Sequence, residues 1–152
     1  MDLAEAIEDL QTGTKHYKLI VVNQDSNELI DECKSFDFDD MVKLNVTKLL
    51  TEKLLVDKTQ EEKEYETWDY IKEYLDSQDF KILVLHDVDY MFSPELGNLD
   101  VISNLKYYSR NGHIIILFIK AKLMDNHLIY SKEGYSDYRD MDISEVNVMG
   151  WE

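Results

Sequence analysis

The stretch Lys81 to Phe92, KILVLHDVDYMF, limits the fold more than any other part of the chain. Ile82 to His86 form an apolar or near-apolar run that meets Asp87, then Val88 and a second carboxylate, Asp89. An unbroken β-rich run without polar alternation predicts a strand buried on both faces, as in the middle of a parallel sheet. The acid then falls at the strand's C-terminal edge, where open α/β sheets bind ligands. A carboxylate at that place has two readings. It holds Mg²⁺, or it starts a turn and caps the next helix.

Two further apolar runs have the same character: Tyr17 to Val22 (YKLIVV) and His113 to Ile119 (HIIILFI). Val42, Leu44 and Val46 alternate with Lys43 and Asn45, which predicts a half-buried, more peripheral strand. Between these runs lie helical patterns. Leu3, Ile7 and Leu10 mark a short first helix, with Asp2 and Glu5 at capping-box spacing and Gly13 at its end. Further helices are predicted over 27–35, burying Leu29, Ile30 and Cys33, and over 47–56. The longest is expected from Glu61 to Ser77, with an apolar stripe of Tyr65, Trp68, Ile71 and Leu75. Pro94 suits a first helical position, and Val101, Leu105 and Tyr108 fit a helix ending near Asn111-Gly112. In the tail, Leu128 to Tyr130 reads as an edge strand and Met141 to Val148 as the last strand. Strands alternating with helices predict an α/β domain with a mostly parallel sheet.

At 152 residues, one domain over 1–152 is expected. Hydrophobic residues make up 44%, which argues against disorder even though 32 acidic residues oppose 16 basic ones. The resulting net charge of −16 disfavours direct binding to DNA phosphates or an anionic membrane. It suits a basic protein partner, and it also suits an acidic surface that mimics nucleic acid. The single Cys33 excludes an intramolecular disulfide and fits a reducing cytoplasm. Asp2, Glu5, Glu8 and Asp9 occupy the region where a signal peptide needs basic and apolar residues. The longest apolar run, Ile114 to Ile119, is too short to cross a bilayer.

A phosphate-binding loop belongs where the first strand runs into a helix. The Walker pattern G-x-x-x-x-G-K-[ST] uses glycines to let backbone N–H groups wrap phosphates, Lys to neutralise charge and Ser/Thr to hold Mg²⁺. Laid over Asn23 to Ile30, it fails at Asn23, Glu28, Leu29 and Ile30. Asp25 and Glu28 instead have the spacing to cap the following helix, placing carboxylate where phosphate would go. Asp37, Asp39 and Asp40 lack EF-hand spacing and read as a solvated turn. His16, His86, His113 and His127 form no zinc-like pair, so no metal site is expected, and His86 reads as a hydrogen-bonded core residue. No nucleophile motif of the G-x-S-x-G or H-E-x-x-H kind occurs.

Helix, YKLIVV strand, degenerate loop, acidic strand end and a second apolar strand follow one another as in small P-loop proteins. Lys120 ends the second apolar strand, where P-loop ATPases of the AAA type place a polar sensor beside the Walker B strand. More specifically, Leu85 to Asn111, LHDVDYMFSPELGNLDVISNLKYYSRN, resembles BrxF, the small P-loop component of some BREX bacteriophage-defence systems. The shared pattern is an acidic strand end, F-x-P-E-L, Asp-x-(apolar) and a helix ending in Ser-Arg-Asn. The tail LIYSKEGYSDYRDMDISEV is similar to that family's ending. A more distant likeness runs to BrxB, another BREX component.

The resemblance implies a three-layer P-loop NTPase-like domain. It sets Asp87, with Asp89 beside it, at a vestigial Walker B position. It matches Ser109, Arg110 and Asn111 to the Ser-Arg-Asn end, and Tyr138 and Arg139 to the tail pair. Arg110, Tyr138 and Arg139 are therefore the candidate partner-binding residues. With the Walker lysine and glycines missing, the expected role is a non-catalytic assembly or regulatory subunit of a BREX-type anti-phage complex without a cofactor. One alternative is a divergent ATPase using Asp87 and Asp89 with Mg-ATP, completed by Arg110 of a neighbouring copy. The other is an acidic protein that occupies a nucleic-acid site on its partner.

Overall fold

The structure is a computed structural model that describes residues 3–13, 16–23 and 40–150. Five parallel strands form its centre: β1 (Leu19–Asn23), β2 (Met41–Asn45), β3 (Ile82–His86), β4 (Ile114–Ile119) and β8 (Asn147–Met149). Their order is β2-β3-β4-β1-β8, and every pairing is parallel. The two most apolar runs, β3 and β4, lie inside the sheet and are buried at every position. The alternating segment becomes β2, half-buried throughout, beside β3 at the end of the described strand order. Continuous apolar sequence thus went to the centre and alternating sequence to the periphery, as burial on two faces or one requires.

Alternate strand residues serve opposite faces. Ile20, Val22, Ile82, Val84, Ile114, Ile116 and Phe118 pack with Leu3, Ala6, Ile7 and Leu10 of α1 (Leu3–Thr12). Leu19, Val21, Leu83, Leu85, Ile115, Leu117 and Ile119 face the other α-helices among the described residues. These are α2 (Val46–Leu49), continued by a π-helical turn at Leu50–Leu54, then α3 (Gln60–Asp76) and α4 (Val101–Ser109). Helices on both faces of a parallel sheet give a three-layer α/β arrangement. No helix among the described residues is long and apolar enough to cross a membrane.

α3 begins with a full capping box. Glu62 N–H donates to Thr59 Oγ1, and Thr59 N–H donates to Glu62 Oε1, each at 3.1 Å. Its buried stripe is Thr67, Ile71 and Leu75, with Trp68 partly buried against the same core. Tyr65, expected in that stripe, is 76% exposed. Six residues separate it from Ile71, which at 3.6 residues per turn rotates it well off the buried face.

The tail departs further from expectation. Leu128–Tyr130 is no edge strand: β6 (His127–Tyr130) lies between β5 (Lys122–Met124) and β7 (Arg139–Asp142) in a separate antiparallel sheet. The expected last strand over Met141–Val148 is two strands, β7 in the small sheet and β8 on the parallel one. Asp125 (φ 53°) and Ser131 (φ 65°) turn the chain at the two ends of β6 without glycine. Leu128, Tyr130 and Met141 join the core on the α2–α4 side. The helix expected over 27–35, the Asp25 and Glu28 caps, and nearly all of the Asn23–Ile30 loop lie outside the described residues.

Candidate functional site

The site forms at the C-terminal ends of β2 and β3, which lie in register with Asn45 opposite His86. Each strand end is fixed by its own side chains. Asn45 accepts Lys48 N–H at 3.0 Å as the N-cap of α2, and its Nδ2 donates to Asp87 Oδ2 at 3.4 Å. Thr47 closes the connection by sending both its N–H (2.9 Å) and its Oγ1 (2.6 Å) to the Asp87 carbonyl. Asp87 therefore does begin a turn. Its φ is +51°, the left-handed region that costs most L-residues about 1–2 kcal/mol and that Asp tolerates better than most.

The Asp87 carboxylate is engaged as well as its backbone. Oδ2 lies 2.5 Å from Nδ1 of His86, a residue with 8% of its surface exposed. His86 is thus the hydrogen-bonded core residue that its place in an apolar strand implied. Asp89 opens a short 3-10 segment, Asp89–Phe92, and its Oδ1 accepts the Tyr130 hydroxyl at 2.6 Å. The Tyr130 ring stacks on Phe92 with centroids 4.1 Å apart. Burial, and then donation to Asp89, pushes the Tyr130 phenol well above its ordinary pKa. Beside it, Ser131 Oγ donates to Asp137 Oδ1 at 2.6 Å. Tyr90 donates to Glu95 at 2.7 Å; burial first and this carboxylate second push its phenol up to about 12.

These residues surround a cleft of about 1020 Å³, whose walls include Asn45, Asp87, Asp89, Tyr90, Tyr135 and Asp137. An adjoining cavity of about 410 Å³ shares the three aspartates and adds His86, Phe118 and Lys120. The structure thus brings together Asp87, Asp89 and the strand-ending Lys120. It sets the other sequence candidates elsewhere. Arg110 is the exposed C-cap of α4, which runs back along the sheet and ends just before β4 begins, on the opposite edge from Asp87. Ser109 is fully buried, accepting Lys18 N–H at 3.0 Å and donating to Lys106 O at 2.7 Å, so it pins the start of β1. Tyr138 is half-buried, and its carbonyl accepts Arg139 Nη1 at 2.8 Å. Arg139 Nη2 donates to the carbonyls of Phe92 and Gly97, each at 3.2 Å, tying β7 to the connection after β3. Its buried Nε has no hydrogen-bond partner.

Sequence reasoning missed Asn45, Thr47, Tyr130 and Asp137. Asn45 carried one signal, an N-capping residue type at the end of an alternating strand. Tyr130 and Asp137 carried none, because only the folding of the small sheet against the strand ends brings them to the site. The described residues hold no cluster of three or more His, Cys, Asp or Glu arranged for a metal ion. They fit a nucleotide triphosphate poorly. Three aspartates face the cavities and already accept hydrogen bonds from the chain's own donors, while Lys48 and Lys120 are the cations among the described lining residues.

No protein-family model matches the chain, and neither a curated protein nor a solved structure is similar to it at a significant level.

Proposed function

We propose that this chain is a non-catalytic assembly or regulatory subunit of a BREX-type anti-phage defence complex, built on a P-loop NTPase-like scaffold that no longer uses nucleotide. The scaffold reading is supported by the strand order. The apolar strand β4 lies between β1 and the acid-ended β3, so Lys120 ends the strand next to Asp87's, the relation that the AAA-type sensor strand bears to its Walker B neighbour. The observation that carries the loss of catalysis is the state of the two strand-end acids. Asp87 is held by His86 and Asn45, and Asp89 by Tyr130, a residue of the added small sheet. A Mg²⁺ ion would have to compete with these donors, and a polyphosphate would face Asp137 as well. The surface then does the work, and a net charge of −16 favours a basic protein partner over nucleic acid.

Two measurements test this. Calorimetry with Mg-ATP gives no heat of micromolar binding on this reading. An affinity-tagged chain expressed in its native host co-purifies with methyltransferase, helicase or phosphatase-like defence components; recovery without any of them overturns the assignment to such a complex. The presence of Lys120 and Asp87 on one cavity favours a second reading, a divergent ATPase, which micromolar Mg-ATP binding would support.

A further inference from the structure

We propose that the 1020 Å³ cleft takes arginine side chains from a basic segment of a partner protein. The inference rests on the reading above that the chain acts through its surfaces, and it names the chemistry of what docks and where.

The cleft is open to solvent and has mixed walls. Its three aspartates come from two separate connections, Asp87 and Asp89 after β3 and Asp137 between β6 and β7. Each spends one carboxylate oxygen on a donor of its own chain: Asp87 Oδ2, Asp89 Oδ1 and Asp137 Oδ1. The second oxygen of each has no partner among the described residues. A carboxylate anchored by one oxygen loses little rotamer freedom when the other accepts a ligand, so the acceptors are pre-organised.

Aromatic rings supply the other half of the wall. Tyr90 and Tyr130 are braced by Glu95 and Phe92. Tyr135 lines the same cleft with 61% of its surface exposed, an aromatic left open to a ligand. Carboxylate oxygens beside tyrosine faces match a guanidinium, which is planar, donates in a fork and stacks on rings. An ammonium matches the carboxylates but stacks less well. A divalent ion fits less well, because no three His, Cys, Asp or Glu among the described residues are grouped to hold one. The volume is that of a ligand pocket at the upper end of the usual range, about 300–1000 Å³, which suits a segment with more than one side chain inserted. Lys48 is the one cation among the described lining residues, and the −16 charge of the molecule steers a basic partner toward it.

The test is fluorescence anisotropy of the full chain with a labelled oligo-arginine peptide, and with oligo-lysine and oligo-glutamate peptides of equal length. Wild type is expected to bind oligo-arginine most tightly, oligo-lysine less tightly and oligo-glutamate not at all. The triple variant D87N/D89N/D137N is expected to bind oligo-arginine about tenfold more weakly, from three partly exposed ion pairs. The control E61Q/D69N/E73Q removes the same charge from the exposed surface of α3 and is expected to change binding less than about twofold. Equal weakening in the two triple variants means that net charge alone attracts the peptide, and overturns the proposal. Because Asp87 and Asp89 also hold the fold, Tyr135→Ala provides an independent reading. It is expected to weaken oligo-arginine about two- to fivefold and to erase most of the preference over oligo-lysine. Unchanged binding by Tyr135→Ala, or equal affinity of wild type for the two basic peptides, also overturns it. Mg-ATP binding in calorimetry would defeat the functional reading while leaving these peptide results to stand or fall alone.

Discussion

Replacing Tyr130 by Phe isolates the contact that holds Asp89 away from other ligands. The substitution removes one hydroxyl and keeps the ring stacked on Phe92 at 4.1 Å. Hydrogen bonds to charged acceptors contribute about 1.5–3 kcal/mol, and the exposure of Asp89 discounts this toward about 1 kcal/mol. For a chain of this size that is a fall in Tm of about 2–4 °C. Urea denaturation followed by far-ultraviolet circular dichroism reads it as a lower midpoint with unchanged slope. A double-mutant cycle with Asp89→Ala, which removes the acceptor, assigns the loss to the pair, with a coupling of about 1 kcal/mol. The pH dependence has a definite sign. The folded phenol has a pKa raised above the ordinary value of about 10, so its stabilisation is fully present below about pH 10 and is lost as pH rises toward the folded value. The difference between wild type and Tyr130→Phe is therefore flat from neutral pH to about 9 and shrinks in stronger alkali. Additivity within about 0.3 kcal/mol in the cycle would refute the coupling of the small sheet to the strand-end acid.

Ile116→Ala, at a fully buried position in β4, is expected to cost about 2–5 kcal/mol in urea denaturation, against less than about 0.5 kcal/mol for Val148→Ala on the exposed edge of β8. Asp87→Val forces a β-branched residue to φ +51° and is expected to cost about 2 kcal/mol, whereas Asp87→Asn, which tolerates that backbone, costs under about 1 kcal/mol in the same assay. In an ultraviolet difference titration, Tyr90→Phe is expected to remove a phenol that ionises near 12.

The central sheet was legible because its chemistry is local. Ile82–His86 and Ile114–Ile119 carry no polar alternation, and both became strands buried on two faces. Val42 and Leu44 alternate with polar residues, and β2 is half-buried. Asp87 and Asp89 were found at the strand end for the same reason. The small sheet was not legible. Its strands are three or four residues long, and two of the left-handed residues that shape it are Asp125 and Ser131 rather than glycine. Tyr130 comes from that sheet and Asp137 from the connection between two of its strands, so neither could be read from the pattern around Asp87. Ser109 and Arg139 show a further limit. Motif matching placed Ser109 in the Ser-Arg-Asn end and Arg139 in the tail pair, yet Ser109 holds the N–H of Lys18 and Arg139 holds backbone carbonyls across the fold. Side-chain partners separated by forty residues or more leave no spacing signal.

Crystals soaked with Mg²⁺ and a non-hydrolysable ATP analogue test most directly whether the strand-end acids have been withdrawn from nucleotide chemistry. The account predicts no triphosphate density at the C-terminal ends of β1 and β3, with the Tyr130 hydroxyl still on Asp89. Ordered triphosphate there, with Mg²⁺ on Asp87 and the Tyr130 contact broken, would contradict it.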